Sequence, residues 1–320
     1  MKKLSKKTWL SLFLSVSMLL LSACGSSNQD TAGQSGNQSE PAAGKSKGSI
    51  SVGGKDFTEQ MILSKITSIY LGENGYEVKE AGSMGSSVVR SALENKQIDL
   101  YWEYTGTGLI VYQKQAVETD PEKAYEKVKE NDKKNNLVWL NKADFNNTYA
   151  ILMPQAKADE LGIKSISDLA KFVSEKPDHL KFATNAEFYA REDGVKGLEK
   201  TYEFQFPIKN VVKMDSGLLY NALKDGQVEV SVGFATDGRI KGFNLVALED
   251  DKQFFPAYNA APVTRKELID THPEVADLMN QVSEKLNTET MMQLNYMVDV
   301  EHKDVTEVAR EWLVSQKFIK

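Results

Sequence analysis

Short apolar runs alternate with amphipathic stretches along the chain, and this alternation predicts strands and helices in turn. Residues 59–71 (EQMILSKITSIYL) have apolar positions at helical spacing, and Thr58 stands where an N-cap is expected. Before residue 102 the predicted elements are strand 49–53, helix 59–71, strand 76–79, helix 86–94 and strand 97–101. This order is typical of an α/β fold with a largely parallel sheet.

The same alternation continues to the end of the chain. The predicted helices are 121–135, 157–161, 167–174, 194–202, 218–224, 265–271 and a long helical stretch over 273–316. The predicted strands are 148–153, 181–183, 210–214, 228–234 and 245–248. The runs 148–153 and 256–263 have the character of crossings between two lobes. We therefore expect lobe 1 to contain residues 49–150 plus 256–320 and lobe 2 to contain residues 151–255, with a ligand between them.

The N-terminal residues have the pattern of a secretory signal. Four lysines precede an apolar run that is too short for a comfortable membrane span, and small residues lead up to Cys24. We therefore exclude residues 1–23 from the fold as a signal peptide. Cys24 follows Leu-Ser-Ala and resembles the lipidated cysteine of a bacterial lipoprotein, which predicts a lipid anchor; a chance cysteine after an ordinary signal peptide is the alternative.

Residues 24–48 combine the candidate lipidation site with a polar segment. After Cys24 this segment contains no large apolar residue, so it cannot bury enough surface to offset the entropy of ordering. It is expected to act as a flexible tether. A lipidated cysteine, a tether and a folded body together predict attachment to the outer face of a cell membrane.

Composition narrows the classes of partner and chemistry. The net charge is −6 and the basic residues are scattered, so a nucleic-acid partner is not expected. The single cysteine excludes an intrachain disulfide. The three histidines lack the spacing of a zinc site, and the sequence has no phosphate-binding or nucleophile motif. We therefore expect no cofactor, no metal and no catalytic residue, and a monomeric protein.

Aromatic residues recur where the predicted strands end or cross between lobes. The stretch YWEYTGTG at 101–108 follows one strand, and the other rings stand at similar points. The set is Tyr104, Tyr149, Phe234 and Tyr258. Converging rings offer negative faces that suit a bulky, methylated cation. For any single ring, packing in the core or at the hinge is the alternative.

Five motifs carry a resemblance to a known family. They are GKDFTEQ at 54–60, YWEYTGT at 101–107, EFYAREDG at 187–194, TDGRI at 236–240 and YNAAP at 258–262. In this order they resemble the solute-binding proteins of osmoprotectant ABC importers, which take glycine betaine, carnitine or choline. The resemblance runs from about residue 49 to the C-terminus. It implies a two-lobed periplasmic-binding-protein fold of type II, with the ligand in the cleft between the lobes.

The resemblance also implies roles for particular residues. An aromatic cage around the trimethylammonium group matches Tyr104, Tyr149, Phe234 and Tyr258, with phenylalanine at 234 where a tyrosine is usual. A carboxylate clamp matches Lys55, Thr107 and Arg191. The backbone carbonyl of Asn147 is expected to face the cation, and Ser86 and Ser87 lie where the family varies with the ligand. For Lys55 and Arg191, surface charge is the alternative.

These observations predict a lipid-anchored, extracytoplasmic binding subunit that delivers a small quaternary ammonium ligand to the membrane permease of an ABC importer. We expect a protein that is not an enzyme. An enzyme or a sensor lipoprotein on the same scaffold is the alternative, because a fold alone does not determine function.

Overall fold

The computed structural model describes residues 46–320, which form two five-stranded sheets flanked by helices. The strands are β1 Ser49–Lys55, β2 Glu77–Met84, β3 Leu100–Tyr104, β4 Leu137–Trp139, β5 Tyr149–Pro154, β6 Phe182–Thr184, β7 Val211–Lys213, β8 Val230–Phe234, β9 Leu245–Ala247 and β10 Ala260–Arg265. The predicted signal peptide, Cys24 and the tether up to residue 45 lie outside the described residues.

The helices cover the faces of the two sheets. They are α1 Thr58–Glu73, α2 Ser86–Glu94, α3 Pro121–Asp132, α4 Gln155–Leu161, α5 Ile166–Glu175, α6 Ala186–Ala190, α7 Val195–Tyr202, α8 Leu219–Lys224, α9 Arg239–Gly242, α10 Lys266–Thr271, α11 Glu274–Lys285, α12 Thr288–Asp299 and α13 Val305–Ser315. A π-helical turn, Thr107–Tyr112, follows β3. The long helical stretch predicted over 273–316 is therefore three helices. Within residues 46–320, none of the helices combines the length and apolar character that spanning a bilayer requires.

The first sheet has the strand order β2-β1-β3-β10-β4. Strand β1 runs parallel to β2 and β3, whereas β10 is antiparallel to both β3 and β4. Tyr104 at the end of β3 therefore pairs with Ala260 at the start of β10. Residues at the end of β3 and residues just before β10 consequently meet at one edge of the sheet.

The second sheet repeats this arrangement with the order β7-β6-β8-β5-β9. Strand β6 is parallel to β7 and β8, and β5 is antiparallel to β8 and β9. Tyr149 at the start of β5 pairs directly with Phe234 at the end of β8. The two sheets therefore share one feature. The strand after each crossing, β10 or β5, lies antiparallel to a strand that ends in an aromatic residue, β3 or β8.

Both sheets are mixed, but the three strands predicted before residue 102 do run parallel, since β1 pairs in parallel with β2 and β3. The two strands that follow the crossings, β5 and β10, run against their neighbours, and apolar periodicity does not report strand direction. Strand β4 was not predicted, because its three residues, Leu-Val-Trp, are too few for a period to be recognised.

Helix α1 packs its apolar face against the first sheet. Its apolar face includes Ile62, Leu63 and Ile66, which are fully buried. The expected cap at Thr58 is not formed: Phe57 occupies the N-cap position, and the Thr58 hydroxyl donates to Asp299 Oδ1 at 2.7 Å. The start of α1 is thus tied to the end of α12 rather than to its own backbone.

Candidate ligand-binding site

The fold brings the four predicted aromatic residues to one place between the sheets. In the first sheet, Tyr104 is the last residue of β3 and Tyr258 lies just before β10. In the second sheet, Tyr149 and Phe234 form a cross-strand pair. The ring centroids of Tyr149 and Phe234 are 5.2 Å apart. Those of Tyr149 and Tyr258 are 5.5 Å apart, with the rings nearly perpendicular. Each sheet therefore contributes two rings to a shared cavity.

Phe57 is a fifth ring of this cluster, and we did not predict it. Its centroid lies 5.2 Å from that of Phe234 and 6.2 Å from that of Tyr104, with the rings roughly parallel in both pairs. It thereby closes the gap between the two sheets and completes a continuous series from Tyr104 to Tyr258. Its place in the GKDFTEQ motif, just after β1, was the available signal.

The rings and their neighbours surround about 440 Å³ of space free of atoms, part of which is open solvent. Of the predicted site residues, the cavity brings together all but Ser87 and Arg191. Its lining is Lys55, Asp56, Phe57, Ser86, Tyr104, Thr107, Asn147, Tyr149, Asn185, Glu187, Ser216, Phe234 and Tyr258. Ser87 is exposed on α2, and Arg191 lies behind the lining. Asp56, Asn185, Glu187 and Ser216 were not predicted, and nothing in their residue types set them apart.

The two tyrosines of the first sheet are anchored through their hydroxyl groups. The Tyr104 hydroxyl donates to Glu59 Oε1 at 2.7 Å and accepts from Gln60 Nε2 at 3.0 Å. The Tyr258 hydroxyl donates to Asp193 Oδ2 and accepts from Arg191 Nη2 at 2.9 Å. Both rings are almost fully buried. Burial beside carboxylates raises the pKa of both tyrosines, so both remain protonated donors.

Gly106 allows Tyr258 to approach the turn after β3. A Cβ atom at this position would lie 2.7 Å from the Tyr258 ring and 2.9 Å from the carbonyl oxygen of Ala257. Since real Cβ atoms essentially never come so close to other atoms, an alanine would displace the ring or the chain. The glycine in YTGT is therefore required by the close packing of the site and not by its backbone angles, which are helical.

Lys55 ends β1 and is buried, with its ammonium group paired to Glu103. Lys55 Nζ lies 2.5 Å from Glu103 Oε1 and 5.0 Å from the centroid of the Tyr104 ring. Glu103 also accepts from the Tyr101 hydroxyl at 2.7 Å and from the backbone N–H of Tyr104 at 2.7 Å. Lys55 thus lines the cavity, and Glu103, which was not predicted to take part, holds its ammonium group from behind the lining.

Comparison with known proteins decides the family. Residues 48–315 match the family described as the substrate-binding domain of ABC-type glycine betaine transport systems. The chain belongs to this family. It is 44% identical over 270 residues to the glycine-betaine-binding protein of Pseudomonas aeruginosa, covering 82% of this chain and 86% of that protein. It is 34% identical to the carnitine transport binding protein OpuCC of Listeria monocytogenes, covering 87% of this chain and 90% of that protein.

A solved structure agrees with this assignment. The crystal structure titled glycine betaine/carnitine/choline ABC transporter superposes with a TM-score of 0.69 at 31% identity, covering 84% of this chain and 99% of that chain. The resemblance drawn from the five motifs is therefore confirmed. So is the two-lobed periplasmic-binding-protein fold, which the two sheets realise here. Family members of this kind are extracytoplasmic solute-binding proteins of ABC importers.

Asn147 and Glu59 connect the cavity to its surroundings. Asn147 lines the cavity, its backbone N–H donates to the carbonyl of Tyr258 at 3.1 Å, and its Nδ2 donates to Glu59 Oε1 at 2.8 Å. Glu59 accepts further hydrogen bonds from Thr236 Oγ1 at 2.6 Å and Asn295 Nδ2 at 3.3 Å. Burial raises the pKa of Glu59, and these hydrogen bonds oppose that rise. One carboxylate thus joins a cage tyrosine to the segment after β8.

The described residues offer no ready metal centre. Within residues 46–320, no group of three or more His, Cys, Asp or Glu side chains is arranged to hold a metal ion. Two buried acidic side chains near the cavity, Glu103 and Glu59, are instead bound to basic or hydroxyl groups. The site is therefore a cavity lined by aromatic rings, with ion-paired side chains beside it.

Proposed function

We propose that this protein captures quaternary ammonium solutes such as glycine betaine, carnitine or choline and delivers them to the permease of an ABC importer. The observation that supports this most directly is the convergence of Tyr104, Tyr149, Phe234 and Tyr258 on one cavity between the two sheets. We include Phe57 in the cage, because it stacks between two of these rings.

The aromatic lining suits a cation that has no N–H group to donate. A trimethylammonium group is large and weakly hydrated, so ring faces attract it without having to replace strong hydrogen bonds to water. Each desolvated ring contributes on the order of 0.5 to 2 kcal/mol. Four such rings supply much of the roughly 8 kcal/mol that micromolar binding requires.

The other end of the ligand is proposed to meet the residues of the predicted clamp. Lys55 and Thr107 both line the cavity, and the Lys55 ammonium group has two N–H donors beyond the one bound to Glu103. We propose that these donors bind a carboxylate or hydroxyl group of the ligand. Arg191 is the third predicted member; it lies outside the lining and binds Asp193 and the Tyr258 hydroxyl. Ser86 lines the cavity beside them, where a longer ligand would extend.

The membrane arrangement is part of the proposal. Cys24 carries the lipid, residues 24–48 form the tether, and the lobes of residues 49–150 plus 256–320 and 151–255 close on the ligand. Replacing Cys24 by Ser is expected to release the protein from membranes into the soluble fraction without changing ligand affinity, since the anchor and the cavity are separate. Continued fractionation with membranes in high salt would contradict the lipid anchor.

A methylation series tests the binding function. Glycine, N-methylglycine, N,N-dimethylglycine and glycine betaine share one carboxylate and differ only in the N–H donors that methyl groups replace. Isothermal titration of residues 46–320 is expected to show affinity rising with each methyl group, and glycine binding at least about a hundredfold more weakly than glycine betaine. Equal affinity across the series, or tighter binding of the less methylated amines, would contradict the aromatic cage.

A further inference from the structure

The TDGRI motif at 236–240 contributes no side chain to the ligand cavity. Within residues 46–320, the cavity lining takes at least one residue from each of the other four motifs and none from TDGRI. Thr236, Asp237 and Arg239 are nevertheless buried. Polar side chains are rarely buried without partners, so the role of this motif lies in its contacts within the protein.

The turn formed by this motif lies directly against helix α12. It connects β8 to α9 beside the second sheet, whereas α12 packs on α1 beside the first sheet. A Cβ atom at Gly238 would lie 2.6 Å from the backbone N and Cα atoms of Tyr296. The backbone angles of Gly238 are helical, so the glycine is required by this close approach and not by its conformation. The backbone of the turn therefore touches the backbone of α12.

Polar contacts join the two sides at the same place. Asn295 Nδ2, on α12, donates to the carbonyl oxygen of Thr236 at 2.9 Å, and Thr236 Oγ1 donates to Glu59 Oε2 at 2.6 Å. Arg239 Nη2 lies 3.4 Å from Asp299 Oδ2 at the end of α12. We call this contact the α12 seam. It is formed by Thr236, Gly238 and Arg239 on one side and by Glu59, Asn295, Tyr296 and Asp299 on the other.

The turn is also bound firmly to the helices of its own sheet. Asp237 accepts from Arg239 Nε at 2.9 Å and from Arg239 Nη2 at 2.6 Å. Arg239 Nη1 donates to the carbonyl oxygen of Gly217, just before α8, at 3.2 Å. The guanidinium carbon of Arg239 lies 4.0 Å from the ring centroid of Tyr220, which belongs to α8. The turn is therefore expected to move as one body with the second sheet.

The α12 seam lies beside the first crossing of the chain. Asn147 and Thr148 immediately precede β5, where the chain passes to the second sheet. Asn147 Nδ2 donates to Glu59 Oε1 at 2.8 Å, and the backbone N–H of Ala235 donates to the carbonyl oxygen of Thr148 at 2.9 Å. In a hinge rotation, atoms near the connecting segments move least. The seam thus lies where it can stay intact while the far end of the cavity opens.

We propose that the α12 seam is the pivot of lobe closure: the TDGRI turn stays seated on α12 while the cavity opens and closes. This inference rests on the proposed capture of a solute between the two lobes. The seam then sets the balance between open and closed forms without touching the ligand. The affinity of a ligand that binds only the closed form falls in proportion to the fraction of protein that is closed. Damage to the seam therefore weakens all ligands by one common factor.

Distance measurements test whether the seam stays in place. Cys24 is the only cysteine of the chain, so the Cys24→Ser protein accepts spin labels at two introduced cysteines. Lys241→Cys with Gln293→Cys reports across the seam, because these residues are exposed on α9 and α12. Val88→Cys with Asp215→Cys reports across the mouth of the cavity, because these residues are exposed on α2 and after β7.

The two label pairs are expected to respond differently to ligand. Double electron–electron resonance should show that glycine betaine shortens the distance across the mouth by more than about 2 Å and changes the distance across the seam by less than about 1 Å. A seam distance that changes as much as the mouth distance would overturn the pivot. Bound glycine betaine that changes neither distance would also overturn it, because the lobes would then not rotate.

A glycine substitution tests what the seam contributes to affinity. Gly238→Ala forces the turn away from α12, and calorimetry is expected to show glycine betaine and choline weakened by about tenfold or more, with the two factors agreeing within about threefold. Gly72→Ala is the matched control, because in the described part of the chain a Cβ atom there would meet no atom within 4 Å. It should leave both affinities unchanged. Unchanged affinity in Gly238→Ala, or a loss for one ligand alone, would overturn the proposal.

Asn295→Ala provides a milder variant if Gly238→Ala does not fold. It removes the amide that donates to the Thr236 carbonyl and to Glu59 but leaves the backbone contact. We expect both ligands to be weakened by the same factor, about three- to tenfold, and the ligand-free variant to show a broader range of distances across the mouth than the parent. Unequal factors, or distances like those of the parent, would contradict the pivot. Parent protein that binds neither ligand would instead refute the proposed function itself, so the two failures are distinguishable.

Discussion

The two walls of the cavity hold their aromatic rings in different ways. On the wall from the first sheet, the hydroxyl groups of Tyr104 and Tyr258 each form two hydrogen bonds to buried side chains. On the wall from the second sheet, Phe234 has no hydroxyl group, and the Tyr149 hydroxyl has no hydrogen-bond partner within residues 46–320. Tyr149 is held by packing instead, with Phe188 behind it at 4.7 Å between ring centroids.

Because of this difference, we expect the two walls to have different roles in ligand binding. Rings fixed by hydrogen bonds are preorganised, so little entropy is lost when a cation settles against them. Rings without such hydrogen bonds have fewer directional constraints, and we expect them to shift more readily with the size of the ligand. We expect the Tyr104 and Tyr258 wall to set where the cation lies, and the Tyr149 and Phe234 wall to accommodate ligands of different shape.

The largest effect is expected from removing an anchored ring. Tyr104→Ala or Tyr258→Ala deletes a ring of the proposed cage and leaves its buried hydrogen-bond partners unpaired. We expect each to weaken glycine betaine, carnitine and choline together, by about 2 to 3 kcal/mol or roughly 30- to 150-fold. Titration calorimetry with all three ligands measures these losses of affinity. Unchanged binding in both variants would contradict the proposed aromatic cage.

Removing only the hydroxyl group of a tyrosine from each wall tests the difference between the two walls directly. Tyr104→Phe keeps the ring but loses the hydrogen bonds to Glu59 and Gln60. We expect it to weaken all ligands by about 1 kcal/mol, the scale of a lost hydrogen bond in a network. Tyr149→Phe is the matched control, because its hydroxyl has no partner among the described residues, and it should change affinity by less than about twofold. Equal losses of affinity in the two variants would contradict the proposed difference between the two walls.

The sequence was sufficient to place the rings but not their supports. Tyr104, Tyr149, Phe234 and Tyr258 stand at strand ends or crossings, and strand ends converge in a fold of this kind, so local pattern and motif resemblance predicted their meeting. Phe57 was missed because one ring inside a polar motif does not show which way it points. The element boundaries were mostly right within a few residues because apolar period reports burial.

The supporting residues depend on contacts between distant parts of the chain. Glu59 meets Thr236 across 177 positions, and Asp193 meets Tyr258 across 65. Acidic residues are common on surfaces, and no local pattern distinguishes a buried, hydrogen-bonded carboxylate from a solvated one. The pairing of Lys55 with Glu103 and of Arg191 with Asp193 was invisible for the same reason.

Glu59, which holds the Tyr104 hydroxyl, is also expected to make the free energy of unfolding depend on pH. Burial raises the pKa of Glu59 above 4.5, so the folded protein holds this proton at pH values where the unfolded chain has lost it. The contribution of Glu59 to the free energy of unfolding therefore falls as pH rises from about 4.5 to the folded pKa, by at most about 1.4 kcal/mol per pH unit. Urea unfolding of the parent and Glu59→Gln from pH 4 to pH 8 isolates this slope, since other groups are common to both. Parent stability that rises relative to the variant over this interval would show that the folded pKa is lowered instead.

The smallest effect is expected where the packed wall already departs from the family pattern. Phe234→Tyr keeps the ring face and adds a hydroxyl to a ring that lies between Phe57 and Tyr149. Because this wall is positioned by packing, we expect it to adjust, with affinities within about threefold of the parent for each ligand. Phe234→Ala removes the face itself and should weaken all three ligands by about 1 to 2 kcal/mol. Calorimetry on both variants makes the comparison. A large change in Phe234→Tyr would show that the packed wall is as rigid as the anchored one, and parent-like binding by Phe234→Ala would exclude this ring from the cage.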